Sequence, residues 1–132
     1  MYGSLPKFER SFDLNYTGKT TGLPYKGTFT VRCVLNIGQK HSVELEKSRL
    51  IADQRNPTNS LLNIAIALAE LRGRIIEAPS WWKDSKSATD FLDEDVIYDL
   101  FNQCLDLEDK WKEEVKKNAE EVASKNEQTV SQ

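Results

Sequence analysis

The sequence predicts an α+β fold: an amino-terminal antiparallel β-hairpin, with room for a third short strand, packed on three α-helices, the last of them long and ending in a frayed tail. Three observations predict it. Two runs near the amino terminus alternate apolar and polar residues with a period of two, as half-buried strands do. The stretch from Leu61 to Leu71 is apolar nearly all the way round a helix, which is the pattern of a buried one. A third stretch, opening at Asp93, carries apolar residues on one side at helical spacing and acids in its first turn.

In the first run Phe8, Phe12, Leu14 and Tyr16 occupy even positions; in the second Tyr25, Gly27, Phe29, Val31, Cys33 and Leu35 occupy odd ones. Gly18, Gly22 and Pro24 punctuate the segment between them, so the two strands read as a hairpin. A lone hairpin is marginal in water and needs a cover. Asn36 with Gln39 resembles a capping pair, and Ile37, His41, Leu45, Leu50 and Ile51 then trace a helical stripe, predicting a helix over about 38–54. Asn56-Pro57-Thr58-Asn59 breaks it and starts the apolar helix at 59–72, which Gly73 is expected to end. The β-branched run Arg74 to Ala78 offers the third strand, and Pro79 stops it. After Ser80-Trp81-Trp82 and a polar linker, Asp93 serves as N-cap for a helix carrying Ile97, Leu100, Phe101, Cys104, Leu105, Trp111 and Val115 on one side. Residues 1–122 are thus expected as a single domain and 123–132 as a disordered tail.

A chain of 132 residues has room for one domain. Its net charge of −3 lacks the basic footprint of a general nucleic-acid binder. The average hides a polarity, because residues 1–83 sum to +5 and residues 84–109 to −8. The two parts either attract each other or meet separate partners. No apolar run is long enough to cross a bilayer, so no membrane role is expected. Cys33 and Cys104 lie among apolar neighbours and read as reduced core thiols.

His41 is the only histidine, which excludes metal sites built on two or three imidazoles. Nucleophilic catalysis would depend on that same residue, and no Gly-x-Ser-x-Gly elbow surrounds any serine. Asp95 and Asp99 share a helix face at i, i+4, yet nothing near them offers the apolar pocket that lifts a general acid's pKa. Asp90 to Asp95 lacks the spacing and central glycine of a calcium loop. Gly18, Gly22 and Gly27 read as turn glycines of the hairpin and not as a phosphate cradle. No enzyme, metal or cofactor is expected.

Trp81 and Trp82 point in different directions because they are adjacent, so burying both rings takes two receiving surfaces. Either one ring packs on helix 59–72 and the other over the hairpin edge, or the pair anchors a partner, a role tryptophan favours. The same choice applies to Trp111, which stands among Lys110, Lys112, Glu113 and Glu114. There an intermolecular contact is expected more than at Phe101. Trp81, Trp82, Trp111 and Phe101 are the candidate binding residues.

Taken in order, the chain has a hairpin ending in Tyr25-Lys26-Gly27-Thr28-Phe29-Thr30-Val31-Arg32, then a helix with spaced arginines and leucines. An alanine-rich helix follows and runs into Ile75-Ile76-Glu77-Ala78-Pro79-Ser80-Trp81-Trp82, and a polar loop leads to Asp93-Glu94-Asp95-Val96-Ile97. Over residues 8–115 this resembles the small tail assembly chaperones of long-tailed bacteriophages. The resemblance implies a non-enzymatic protein of the infected host's cytoplasm that binds the tape measure protein and keeps it soluble while tail tube subunits assemble round it. It carries over no catalytic residue and matches no individual binding residue. The partners it implies are the tape measure protein or other virion proteins, with self-association among sister copies. A second class stands beside it: a structural subunit of the virion, such as a head decoration, connector or baseplate component, whose hairpin adds to a neighbour's sheet. A small cellular enzyme would need His41 in a cleft beside acids or cysteines.

Overall fold

A computed structural model describes residues 5–52, 55–85 and 88–130, with side chains described as far as Glu121. Strands β1 (Glu9–Thr17) and β2 (Pro24–Arg32) form the expected hairpin. Phe12 stands opposite Phe29, Leu14 opposite Gly27 and Tyr16 opposite Tyr25. Every pair joins an even position to an odd one, so the two alternations of the sequence fall on the same face. On that face Leu14, Phe29 and Val31 are buried, and Phe12 stacks on Phe29 at 5.6 Å. The other face is polar, with Ser11 and Thr30 sharing a hydroxyl bond of 2.8 Å and Thr28 donating to Asp13 at 2.7 Å. The third strand, β3 (Ile75–Glu77), pairs antiparallel with β2 and makes β2 the central strand.

Helix α1 (Ile37–Leu50) begins at the reciprocal cap: the Gln39 N–H donates to Asn36 Oδ1 at 2.8 Å, and the Asn36 N–H donates to Gln39 Oε1 at 2.9 Å. It ends short of the expected residue 54, and residues 53 and 54 lie outside the described residues. Of the predicted stripe only its end, Leu50 and Ile51, turns inward. Val43 is buried and Leu50 half-buried, while Ile37, His41 and Leu45 face outward. The reason lies in α2 (Asn59–Arg74), where a Cβ added to Gly73 would stand 2.6 Å from Val43 Cγ2. Gly73 is therefore no stop signal; it is the hole that seats Val43, and the helix continues through Arg74 directly into β3.

Thr58 caps α2 by accepting the Leu61 N–H at 3.2 Å. Ala67, Leu68 and Leu71 of α2 meet Val96, Ile97, Leu100 and Cys104 of α4 (Glu94–Val130) in one core with Leu14, Phe29 and Val31 of the sheet. A short helix, α3 (Ser80–Lys83), carries the adjacent tryptophans between β3 and α4. The α4 backbone is helical to Val130, and the side chains of the expected tail, 123–132, lie outside the described residues.

Arg74 is buried and fully engaged: Nε donates to Glu70 at 2.9 Å, Nη2 to Glu108 at 3.0 Å and Nη1 to the Cys33 carbonyl at 2.8 Å. Burial alone would disfavour its charge, but the two carboxylates outweigh that and raise its pKa. Cys33 and Cys104 are buried free thiols, and burial pushes Cys104 up to about 12, so it stays protonated and unreactive.

Candidate interaction surface

The four candidate binding residues do not form one site. Trp81 and Trp82 are half-buried in an aromatic group that gathers around Phe29 and Phe91. Trp81 lies 5.7 Å from Phe29 and 5.8 Å from Phe91, and Trp82 lies 5.9 and 5.8 Å from the same two rings. One pair of aromatics thus receives both indoles. Trp81 also meets Tyr25 edge-on at 5.2 Å, and its Nε1 donates to the Lys26 carbonyl at 2.8 Å, which fixes it to the hairpin. Phe101 is half-buried against the main core.

Trp111 overturns its expected exposure. Only 9% of it is accessible, its ring lies 5.7 Å from Phe8, and its Nε1 donates to the Pro6 carbonyl at 3.1 Å. The charged neighbours that suggested a surface position point away because successive helical residues turn by about 100°. Leu100, Cys104 and Trp111 share a face at i, i+4 and i+11, and that spacing was the signal for burial.

The acidic start of α4 is engaged internally. Asp93 is fully buried; its Oδ1 accepts the N–H groups of Thr20 at 2.8 Å and Thr21 at 3.0 Å, and its Oδ2 accepts the hydroxyls of Thr21 and of Tyr25, the latter at 2.6 Å. Asp95 accepts the Lys19 N–H at 3.0 Å. The predicted N-cap residue thus spends its carboxylate on the hairpin loop, while its carbonyl accepts the Val96 N–H at 3.2 Å. The loop read as a plain turn is a cradle for an anion, and the anion is the protein's own. Gly18 is required there, since a Cβ would stand 2.3 Å from the Asp93 carboxylate. Burial alone would raise the Asp93 pKa, but the Thr21 and Tyr25 hydroxyls and the Thr21 and Thr20 amides hold it at about 2. A hydrogen bond to Asp95 pushes the Tyr16 phenol up to about 12. Glu108 pairs with Arg74 across the two oppositely charged parts of the chain, and Glu114, beyond the acidic stretch, pairs with Arg10.

Apolar surface remains elsewhere. An open groove of about 930 Å³ lies where the chain entering β1 faces the start of α1, with Leu5, Phe8, Val34, Leu35, Ile37 and the edge of Trp111 along it. Arg32, Lys40 and Glu9 supply its charged rim. From the groove the outward stripe of α1 continues, with Ile37 88% exposed, then His41, then Leu45 59% exposed, at i, i+4 and i+8. At the other end of the molecule Leu92 is 73% exposed, next to the start of α4. The sequence reading placed Phe8, Ile37 and Leu45 inside and passed over Leu92, because their exposure depends on which face of α1 meets Gly73 and on where α4 docks.

Among the described residues no three metal-ligating side chains come together, His41 is exposed on α1, and no helix is long and apolar enough to cross a membrane. No protein-family model, curated protein or solved structure matches the chain.

Proposed function

We propose that the chain is a non-enzymatic tail assembly chaperone of a long-tailed phage, acting in the cytoplasm of the infected cell, where it holds a segment of the tape measure protein until tube subunits enclose it. The observation that carries the binding part of this reading is the outward stripe of α1. Ile37 and Leu45 are large, apolar and mostly exposed on a helix whose packing is already satisfied by Val43. Two exposed aliphatic side chains two turns apart on one helix face, with His41 between them, give a partner helix two apolar anchor points. The client's identity rests on the order of motifs from the hairpin to the acidic helix start.

Co-expression with the tape measure protein of the same phage tests this. The wild-type chain is expected to co-purify with it, Leu45→Asp to reduce recovery about tenfold with an unchanged melting temperature, and purified virions to lack the chain. Failure to co-purify, with stoichiometric recovery from virions by mass spectrometry, would replace this reading with that of a structural virion subunit. One feature favours that alternative: the nine-residue β1 lies at the edge of the sheet, with no strand on its outer side among the described residues.

A further inference from the structure

We propose that the recess beside Leu92 is a docking pocket for one apolar side chain of a partner polypeptide, carried on a segment with lysine or arginine next to it. The recess, about 380 Å³, opens between α2 and the start of α4, with Leu50, Ile64, Leu68, Phe91, Leu92 and Ile97 among its walls. That volume lies at the small end of the range of about 300–1,000 Å³ for ligand pockets, so it takes a side chain and not a whole helix. Leu92, 73% exposed, stands at its mouth. The turn that shapes the recess is held under backbone strain: Ala88, buried in the wall, has a φ of 66°, a left-handed conformation uncommon for a residue other than glycine. Its N–H donates to Ser85 Oγ at 3.0 Å and its carbonyl accepts the Phe91 N–H at 3.3 Å, which turns Phe91 inward and leaves Leu92 at the rim.

The charge of the mouth decides what enters. Among the described residues Thr89 and Glu94 are the only polar side chains on the recess, and no cation lines it. Glu94 is exposed and accepts the Tyr98 hydroxyl at 3.2 Å, which leaves its charge in place. Next to it, the bonds of Asp93 and Asp95 come from amides and hydroxyls, neutral donors that orient the two carboxylates without cancelling their charge. An apolar pocket under an acidic mouth complements an apolar side chain flanked by cations. The groove beside α1 has the opposite rim, Arg32 and Lys40 against Glu9, so the two depressions sort partner segments by sign. The recess shares no residue with that groove or with the outward stripe of α1, and so the proposal stands or falls separately from the chaperone reading.

Two synthetic helical peptides test it on the full chain, each with leucines at i and i+4, one flanked by lysines and the other by glutamates, with NMR of the backbone amides as the readout. The lysine peptide is expected to shift the amides of Thr89, Phe91, Leu92 and Glu94, with affinity falling about tenfold between about 0.05 M and about 0.5 M salt. The glutamate peptide is expected to leave them unmoved. Glu94→Gln is expected to weaken the lysine peptide about fivefold and Leu92→Ala about threefold, each with unchanged thermal melting because both side chains are exposed. Equal shifts from the glutamate peptide, shifts of the lysine peptide that avoid the recess, or a Glu94→Gln variant that binds as wild type overturn the proposal. So does a concentration-dependent shift of the same amides in the chain alone, which would give the recess to a second copy. A response to n-hexylammonium with none to the lysine peptide also overturns it, in favour of a small-molecule site.

Discussion

At its start, α4 holds the hairpin loop through a buried carboxylate; further along, it holds the hairpin's open end through a tryptophan and a surface ion pair. From Arg10 to Lys19 an extended strand climbs about 30 Å, and from Asp95 to Glu114 a helix covers about 28 Å. The helix therefore lies antiparallel to β1 and reaches both of its ends. At the loop end the attachment is a hydrogen-bonded network around one ion, and losing any member strands the others without partners. At the open end the attachment is ring burial with an exposed ion pair, whose parts fail separately. Exposed apolar surface lies beside both attachments, at Phe8 and Ile37 by the open end and at Leu23 and Leu92 by the loop.

The largest effect is expected from Asp93→Ala, which leaves two amides and two hydroxyls facing an empty site; the melting temperature should fall by roughly 15 °C. Acid acts on the same group. Because its folded pKa of about 2 lies below the ordinary value, its contribution is complete above about pH 4 and is lost as pH falls toward 2. Melting curves of Asp93→Asn should lack that part of the acid dependence. Gly18→Ala should cost somewhat less, roughly 10 °C, by forcing the loop away from the carboxylate, with faster hydrogen exchange at Thr20 and Thr21. Trp111→Ala tests the other attachment, with a fall of roughly 8 °C while those two amides keep their protection. A loss of their protection would mean that the two attachments act as one unit. Arg10→Ala is expected to be the mildest, about 2 °C and less in high salt, since its pair with Glu114 is half exposed.

The hairpin, its apolar face and the cap of α1 were legible because each depends on neighbours in sequence: the two alternations mark the apolar positions, and Asn36 caps through Gln39 three positions away, whereas parity alone does not choose the register that sets Phe12 against Phe29. The third strand was legible from its β-branched run. The inverted face of α1 was not, because it depends on a hole at Gly73 in another helix. Trp111 was misread for a related reason, since local charge spoke for exposure and the Pro6–Phe8 segment that covers it lies over a hundred positions earlier. Asp93 was recognised as a helix start, but its real partners are donors of the loop, whose glycine and threonines read equally well as an ordinary turn. Of the candidate binding residues, sequence reasoning chose the large aromatics, and the structure buries Trp111 and half-buries Trp81, Trp82 and Phe101 while leaving the aliphatic Ile37, Leu45 and Leu92 outside.

The clamp also orders events during synthesis. Thr20 and Asp93 are 73 positions apart, so the loop emerges from the ribosome long before the carboxylate that organises it. Until then its amides are satisfied by water, and the inner face of the sheet waits for the helices that cover it. A chain that ends before Asp93 is therefore expected to be cut faster at Lys19 than the complete chain, because its loop lacks the carboxylate that holds it. In the complete fold the Asp93 and Glu114 contacts hold both ends of the hairpin, with the Lys19 side chain still at the surface.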